Sequence, residues 1–479
     1  MILNHMRVII FSCIIFFPLN FNLFAQLRDS TNQADYIIIT PSQFVNTLRL
    51  FTEWRQKRFN VKVAELQQIY DEFPDSTRPC SIRDFVSYTL TYWNNPKPQY
   101  VLLVGGGKLL PSYVVPSDFS RATAYNEDSV SIDEWYSVNL YEPDTKPDVD
   151  IGRLPVNNGQ ELNNIILKTI RFEDSLSIEN YPIDFLFLTD KTDSVLFEDN
   201  ANEFINTSLP LSFLKETIFA GEDSSIQITR EHLFNALAKG TLFFSYYGHG
   251  APDKWSRYKI FTYGDQDSLS PNGLPFILTS AACEQPFDPP NDSSIVRSLL
   301  LSSDNGTVAS VNSTGLNLLW GGSAFLTKLY NNIFSSKDHI IGNAVLQTKL
   351  NLEYDNSPQS SIPRRYTLLG DPALKIPLGI IAHVADIPGN NPGSYSLAQN
   401  FPNPFNPTTT IRFSIPEESF VIIKVYDITG KEISTLVNER KTAGNYSVVF
   451  NASGLPSGVY FYRMQTGIYT STKKFILLK

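Results

Sequence analysis

Two uninterrupted apolar runs stand out near the middle of the chain. Thr241–Tyr247 and 275–282 have the length and the aromatic or branched content of strands that are buried on both faces. His249 follows the first run between two glycines, and Cys283 directly follows the second. Because ligands bind beyond the carboxyl ends of parallel strands, neighbouring strands would bring this imidazole and this thiol to one crevice.

Shorter apolar runs alternate with helical spacing of apolar residues from residue 35 to residue 378. Strands are predicted at Tyr36–Thr40, Tyr100–Val104, 149–154, 185–188 and 306–313, and helices at 41–59, 81–93, 159–173 and 323–333. Residues 367–376 form the last segment of this region. The alternation predicts an α/β fold with a mostly parallel sheet flanked by helices.

The pattern changes after residue 378. Residues 379–394 are rich in Gly, Pro and Asn, which is typical of a linker. From 395 to 479, apolar and polar residues alternate in runs at Thr408–Ile415, 420–428, 445–451, 459–465 and 471–478. These runs predict a separate, small all-β domain, an immunoglobulin-like sandwich.

Residues 1–25 have the features of a secretory signal peptide. One basic residue, Arg7, precedes an apolar stretch at 8–19, and the segment ends at Ala25. This stretch is too short to cross a bilayer comfortably, and no later stretch offers the roughly twenty apolar residues that a spanning helix needs. We therefore expect an exported protein with no transmembrane segment in its mature form.

Composition limits the partners. The formal charge is −9, or −10 once Arg7 is removed with the signal peptide, and the isoelectric point is near 5.2. An acidic protein of this kind is not expected to bind nucleic acid or an anionic membrane. Without Cys13, which lies in the signal peptide, Cys80 and Cys283 remain, too few for a disulfide framework. We expect the thiol of Cys283 to take part in catalysis and Cys80 to have no role in it.

A Cys and a His in one crevice are suited to thiol catalysis. A free thiol with a pKa of about 8.5 is mostly protonated at neutral pH, and an adjacent imidazole activates it and later protonates a leaving amine. Glycines on both sides of His249 leave backbone N–H groups unshielded, so the amides of Gly250 and Cys283 could form an oxyanion hole. The alternative is that Cys283 is a small buried hydrophobic residue, as lone cysteines often are.

Motifs for other chemistries are missing from the sequence. Residues 105–108 read Gly-Gly-Gly-Lys after a predicted strand, but Leu109 stands where a phosphate-binding loop has Ser or Thr. The sequence contains no HExxH and no GxSxG motif, and its five histidines, at 5, 232, 249, 339 and 383, lack ligand spacing. We expect no metal site in the catalytic chemistry and no required cofactor.

Several segments resemble the gingipain family of cysteine peptidases. They are DYIIITPSQFVNTLRLFTEWRQKRFNVKVAEL, QYVLLVGGGKLLPS, PDVDIGRLPV, YYGHGAPDKW, LPFILTSAAC, NGTVASVNSTG and YTLLGDPALKI, between residues 35 and 377. The resemblance implies a caspase-like fold, with an N-terminal α/β subdomain at 35–177 and a catalytic subdomain at 178–378. It also implies that His249 and Cys283 are the catalytic pair.

The resemblance implies further roles where the match is looser. The third catalytic member of the family comes from the strand end that corresponds to Asp190, with Asp148 as the alternative. Glu198 and Asp199 open the next predicted helix, where arginine-specific members place the acid for a basic side chain; both could instead be helix-start charges. Trp320 matches the aromatic wall of the specificity pocket or is a core aromatic. Family members hold structural calcium, so the resemblance leaves open whether this chain binds calcium as well. The sequence contains no twelve-residue calcium loop.

The C-terminal domain closely resembles the sorting domain of the type IX secretion system. The matching segments are NFPNPFNPTTTIRF, VYDITGKEI, LPSGVYFY and KKFILLK. This resemblance implies passage through the periplasm and outer membrane of a Gram-negative bacterium, followed by release or attachment to the cell surface. An accessory carbohydrate- or protein-binding sandwich is the alternative.

Together these features predict a secreted or surface-attached cysteine endopeptidase that hydrolyses protein substrates, with specificity for basic residues left open. Two alternatives remain. One is a sorting peptidase that acts on other exported proteins, and the other is a catalytically silent surface-binding protein on the same fold.

Overall fold

The computed structural model of the protein describes residues 26–117, 129–210, 213–270, 273–289, 292–352, 362–378, 395–400, 403–467 and 469–478. The predicted signal peptide at 1–25 and the predicted linker at 379–394 lie outside these residues.

The strands up to residue 378 are β1 (Tyr36–Thr40), β2 (Val61–Glu65), β3 (Tyr100–Val104), β4 (Tyr113–Pro116), β5 (Ser129–Ile132), β6 (Asp150–Leu154), β7 (Ile183–Thr189), β8 (Lys215–Phe219), β9 (Thr241–Tyr247), β10 (Gly250–Ala251), β11 (Lys254–Trp255), β12 (Phe261–Thr262), β13 (Phe276–Ala281), β14 (Thr307–Ser313) and β15 (Tyr366–Leu369). The helices are α1 (Val45–Arg55), α2 (Leu66–Glu72), α3 (Arg78–Tyr92), α4 (Gly159–Ser175), α5 (Ser194–Thr207), α6 (Ile226–Lys239), α7 (Ile295–Leu301), α8 (Leu319–Ser335), α9 (Ile341–Leu350) and α10 (Ile362–Arg365).

Ten of the described strands form one sheet, in the order β2-β1-β3-β6-β15-β14-β13-β9-β7-β8. Neighbouring strands are parallel except β14 and β15, which are antiparallel. The sheet therefore consists of two five-stranded parallel blocks that run in opposite directions. This architecture confirms the predicted α/β class with a mostly parallel sheet, and it adds an antiparallel junction that the sequence did not indicate.

The uninterrupted apolar runs reflect burial on both faces of the sheet. Every residue of β9 is buried. Phe244 and Tyr246 pack into the core that α4, α6 and α7 cover, whereas Phe243 and Tyr247 pack into the core under α5, α8 and α9. Successive side chains of a strand point to opposite faces of the sheet. A strand that is covered on both faces is therefore apolar throughout and does not alternate between apolar and polar residues.

The C-terminal unit is all-β, as predicted, with strands β16 (Ser396–Leu397), β17 (Thr408–Ile415), β18 (Ser419–Tyr426), β19 (Glu432–Lys441), β20 (Gly444–Asn451), β21 (Gly458–Gln465) and β22 (Thr470–Leu477). They form two antiparallel sheets, β16-β17-β20 and β19-β18-β21-β22, around a core of their own. Residues that alternate along each strand supply this core, as expected for a sheet with one solvated face.

An ion pair joins the C-terminal unit to the large sheet. Arg412 Nη2 of β17 lies 2.7 Å from Asp184 Oδ2, close to the amino end of β7. The Asp184 side chain is fully buried, and its second contact is the backbone N–H of Leu214 at 2.6 Å. Burial, offset in part by Arg412, raises the pKa of Asp184 to about 6. The pair lies at the amino end of β7, and Asp190 follows the carboxyl end of the same strand.

Candidate active site

The two candidate catalytic residues lie side by side because their strands are neighbours. β9 and β13 pair in parallel, with Tyr247 opposite Ala281 at the carboxyl ends. His249 and Cys283 each come two residues after these paired positions. Both line a cleft of about 240 Å³. The structure thus brings together the imidazole and the thiol that the sequence pattern placed in one crevice.

The imidazole of His249 is held from one side. Its Nε2 lies 3.1 Å from Oδ2 of Asp193, and the ring meets the edge of Phe197 at a centroid distance of 5.3 Å. Asp193 is the N-cap of α5 and has a left-handed φ of 51°, which Asp and Asn adopt more readily than most residues. With Nε2 engaged, Nδ1 is the ring nitrogen that is left to exchange a proton with a thiol. The sequence analysis did not name Asp193.

Asp190 has a different contact from the one predicted. Its carboxylate accepts hydrogen bonds from the backbone N–H of His249 (3.1 Å), from the Ser256 hydroxyl (2.6 Å) and from the backbone N–H of Thr192 (2.9 Å). It is fully buried beneath the loop. Strand β7 ends at Thr189, so Asp190 lies directly at the carboxyl end of the strand. The turn between β7 and α5 then places Asp193 beside the imidazole ring. Asp190 therefore contacts the main chain of His249, whereas Asp193 contacts its side chain.

The alternative third member, Asp148, lies just before β6 in the other block of the sheet. Its Oδ2 accepts a hydrogen bond from the backbone N–H of Asn139 at 2.9 Å, and burial raises its pKa. It does not belong to the described lining of the cleft. These contacts are those of a carboxylate that holds a turn of the main chain.

The glycines around His249 are required by close packing. A Cβ on Gly248 would lie 2.3 Å from the hydroxyl of Tyr246, and a Cβ on Gly250 would lie 2.6 Å from the carbonyl oxygen of Cys283. Both distances are far below a van der Waals contact. The closeness of Gly250 to Cys283 also puts both predicted oxyanion-hole residues in the wall of the same cleft.

A buried amide that the sequence analysis missed connects the two catalytic loops. Gln285 Nε2 donates to the carbonyl oxygens of Ala251 at 2.9 Å and of Cys283 at 3.1 Å, and Gln285 Oε1 accepts from Trp255 Nε1 at 2.8 Å. Trp255 in turn stacks on Tyr246 of β9, with ring centroids 4.6 Å apart. The only sequence signal for this role is a polar residue two positions after the thiol.

The thiol of Cys283 also contacts the loop that follows β14. The backbone N–H of Asn317 lies 3.3 Å from Sγ, and its carbonyl oxygen lies 3.2 Å from Sγ. The main chain of Asn317 thus donates to the sulfur and accepts from the thiol, which places the loop after β14 directly against Cys283. Cys80, by contrast, lies in the first turn of α3, with Sγ 3.1 Å from the Thr77 hydroxyl. The thiol in the cleft is that of Cys283.

The two predicted specificity acids, Glu198 and Asp199, are not among the described lining residues of the cleft. Helix α5 begins at Ser194, so Glu198 and Asp199 lie in its second turn and do not open it. The Glu198 carboxylate packs against Gly221, and burial followed by repulsion from Glu222 raises its pKa. Asp199 is exposed.

Trp320 belongs to the first turn of α8, which begins at Leu319, earlier than the predicted start of this helix. Its side chain lies outside the described part of the structure. The two interpretations of this indole, as a pocket wall and as a core residue, therefore stay predictions.

The described residues form neither a cluster of metal ligands nor a membrane-spanning helix. Nowhere among them do three or more His, Cys, Asp or Glu side chains come together as a metal site would require. None of the described helices has the length and hydropathy that crossing a bilayer demands.

Comparison with known proteins separates the same two regions. A family model described as Peptidase family C25 matches residues 29–377, and one described as a secretion system C-terminal sorting domain matches residues 399–478. A search of curated proteins gives no significant match.

Two solved structures are similar in fold. A complex of the RgpB pro- and mature domains of Porphyromonas gingivalis aligns with a TM-score of 0.57 at 16% identity, over 92% of this chain and 100% of that chain. The structure of the Arg-specific cysteine proteinase gingipain R aligns with a TM-score of 0.57 at 15% identity, over 92% of this chain and 98% of that chain. At these identities the likeness concerns the fold.

Proposed function

Because the chain belongs to peptidase family C25, a family of cysteine peptidases, we propose that it is an endopeptidase with Cys283 as nucleophile and His249 as acid and base. The observation that carries the proposal is the shared cleft at the ends of two paired strands, which both residues line. A nucleophile and a base in one cleft, with the base held by a third group, form the usual arrangement for covalent acyl transfer.

The residues of the cleft divide the chemistry between them. His249 Nδ1 takes the proton of the thiol, and Sγ of Cys283 attacks the carbonyl carbon of the scissile peptide bond. The N–H groups of Gly250 and Cys283 stabilise the oxyanion that forms. The imidazolium then protonates the leaving amine, and the C–N bond breaks. Water, deprotonated by the imidazole, attacks the thioester and releases the acid.

Two acidic residues support the His in this proposal. Asp193 accepts a hydrogen bond from Nε2, which orients the ring and stabilises the imidazolium. Asp190 accepts a hydrogen bond from the His249 backbone N–H, and so fixes the main-chain position of the residue that carries the imidazole. We assign the orienting role to Asp193 and a main-chain positioning role to Asp190.

Specificity for basic residues is not part of the proposal. It depended on Glu198 or Asp199 at the base of a pocket, and the packing of Glu198 against Gly221 and the exposure of Asp199 give no support for such a pocket.

The second domain determines where the activity acts. The sorting domain at 399–478 indicates export by the type IX secretion machinery to the cell surface or the medium of a Gram-negative bacterium. Its ion pair to Asp184 lies at the opposite end of β7 from His249, so attachment of this domain at Arg412 is compatible with an accessible cleft.

Covalent labelling of the purified exported chain tests the function. A fluorescent thiol-alkylating probe should label the wild type, and a mixed peptide library should be hydrolysed at internal bonds. Cys283→Ala should lose both signals. Cys80→Ala is the matched control, since Cys80 is the other cysteine of the described chain and lies on α3. Hydrolysis that survives in Cys283→Ala would exclude Cys283 as the nucleophile, whereas a wild type that neither reacts nor hydrolyses would favour the catalytically silent alternative.

A further inference from the structure

The described walls of the cleft are mainly apolar. Leu316, Leu318 and Leu319, from the loop after β14 and the start of α8, line it and are all half-buried, so they expose apolar surface to the cavity. Phe197 of α5 lines it next to the imidazole. An apolar group bound between these side chains would remove their remaining surface from water, which is favourable at about 25 cal/mol per Å².

The first turn of α5 repeats this character next to the catalytic His. Val195 is 70% exposed and Leu196 is 54% exposed, directly after Asp193. This turn contains no acidic residue. The start of α5 therefore adds apolar surface and no carboxylate beyond that of Asp193.

A pocket for Arg or Lys needs a carboxylate that the substrate cation can reach. Glu284 is the acidic residue among the described lining residues, and it directly follows the nucleophile. Its φ of 48° and the hydrogen bond from its N–H to the Gly315 carbonyl at 2.9 Å fix its main chain beside the thiol. Glu284 is therefore the residue through which a basic preference would have to act, and the experiment must test it.

We propose that the cleft selects peptides with an apolar side chain, such as Leu or Phe, on the residue that supplies the scissile carbonyl. The inference rests on the proposed peptidase function and names its substrate class. It is carried by the leucines that line the cleft next to Cys283 and by the position of the acids of α5 away from it.

The order of the strands indicates which side of the substrate meets the leucines. The sheet runs β14-β13-β9, so the loop after β14 and His249 lie on opposite sides of Cys283. His249 protonates the leaving amine, so the amine side of the substrate extends toward β9. The acyl side then extends toward the loop after β14, whose Asn317 backbone contacts Sγ. The residue next to Leu316 and Leu318 is the one that supplies the carbonyl.

Fluorogenic peptide pools that differ only at this residue test the inference on the full exported chain. Pools with Leu, Phe, Ala, Arg and Lys are compared by kcat/KM, with Cys283→Ala subtracted as the background. The Leu and Phe pools should exceed the Arg and Lys pools at least about tenfold, the discrimination that a few methylene groups give in an apolar pocket.

A pair of variants at Leu318 sharpens the test. Leu318 is the N-cap of α8 and makes no side-chain cap hydrogen bond. Asp and Asn are both preferred N-caps, so neither substitution should impair folding. Leu318→Asp should lower kcat/KM for the Leu pool about tenfold or more and raise it for the Arg pool, because it adds a carboxylate to the wall. Leu318→Asn should give the same loss for Leu without the gain for Arg.

The outcomes separate the two levels of the proposal. A Cys283-dependent rate that is higher for Arg or Lys than for Leu, and that becomes equal in Glu284→Gln, overturns the apolar preference while the peptidase function stands. Unchanged Leu rates in both Leu318 variants also overturn it. Absence of Cys283-dependent hydrolysis in every pool overturns the peptidase function, and the specificity with it.

Discussion

Two glycine-rich loops, each directly after a buried strand, have opposite roles in this molecule. The loop at 105–107 follows β3, and the loop at 248–250 follows β9. In the first, the position of a Cβ on Gly107 is occupied by the carboxylate of Asp288, at 1.9 Å from Oδ2. In the second, the glycines press against main chain and side chains of the site, and the imidazole between them is half-exposed to a cleft.

The difference shows what glycine after a strand does and does not indicate. In both loops a glycine marks a close approach of other atoms, which any side chain would prevent. The loop at 105–107 receives a carboxylate from the protein itself and is filled. The loop at 248–250 leaves its reactive side chain accessible. In the sequence, the residue that indicated catalytic chemistry was therefore His249 and not the glycines beside it.

Alanine substitutions at Gly250 and Gly107 should have different effects. Gly250→Ala places a methyl group against the carbonyl oxygen of Cys283, so the main chain of the nucleophile must move. We expect kcat/KM to fall about 10²-fold, the usual cost of displacing a reacting group by about 1 Å. Gly107→Ala meets a side-chain oxygen of Asp288 instead, and should cost about 1–3 kcal/mol of unfolding free energy by overpacking while the folded enzyme keeps its kcat.

Peptide hydrolysis and denaturant unfolding, measured on both variants, decide the matter. If Gly107→Ala lost activity as strongly as Gly250→Ala without a loss of stability, the loop at 105–107 would belong to the active site. If Gly250→Ala stayed fully active, the close contact with Cys283 would have no part in positioning the thiol.

A second comparison concerns the two acids next to His249. Asp193 is 61% exposed and contacts the ring, so Asp193→Asn should lower kcat about tenfold with little change in KM or melting temperature, a smaller effect than loss of a buried orienting acid. Asp190 is buried with three donors around it, and Asp190→Asn leaves one oxygen to accept from them. It should cost about 1–3 kcal/mol of unfolding free energy.

Steady-state kinetics and thermal unfolding separate these roles. The reverse result, in which Asp190→Asn changes kcat alone and Asp193→Asn changes stability alone, would return the orienting role to Asp190.

The smallest effect concerns the carboxylate that fills the first loop. Burial raises the pKa of Asp288 to about 6, with Arg153 lowering it and Asp133 raising it to lesser extents. Between pH 4 and pH 6 the native state then binds more protons than the unfolded state, so this group makes the protein less stable as pH rises through that window. Relative to the wild type, Asp288→Asn should gain about 1 kcal/mol between pH 4 and pH 7, allowing for the partial exposure of the carboxylate.

Denaturant unfolding at several pH values measures the gain. Asp292→Asn is the matched control, because Asp292 lies four residues further along the same loop with a side chain that is 59% exposed. It has a left-handed φ of 60°, which Asn adopts readily. A pH-independent difference for Asp288→Asn, or an equal slope for the control, would contradict the assignment of a buried, protonated carboxyl to the first loop.

The large features of the fold could be predicted from the sequence because burial on both faces leaves a strong pattern. The predicted bounds of Tyr36–Thr40, Tyr100–Val104, Thr241–Tyr247 and Thr408–Ile415 agree with the structure to the residue. The edge strand β2 was missed, since its residues are mostly half-buried and mix Lys and Glu with Val. The antiparallel junction of β14 and β15 depends on contacts between distant segments, which local periodicity does not contain.

The site was predictable to the extent that it follows from strand ends. His249 and Cys283 stand at fixed distances from buried runs, so their neighbourhood follows from the pairing of β9 with β13. Asp193 could not be found in this way, because its position depends on a left-handed turn four residues beyond the strand. Glu198 was misplaced for a related reason, since the helix begins four residues earlier than its charge pattern suggested.

The hydrogen bonds of Gln285 have a consequence for how sequences of this kind can diverge. Its amide nitrogen reaches the carbonyl oxygens of residues 251, 283 and 284, which are main-chain atoms that every amino acid possesses. The contacts therefore specify the residue type at 285 and at its partner Trp255, but not at 251 or 284. We expect substitutions to accumulate at 251 and at 284, which lines the cleft, while 285 and 255 change only together. A buried side chain that binds main chain lets selection alter what surrounds a nucleophile without moving it.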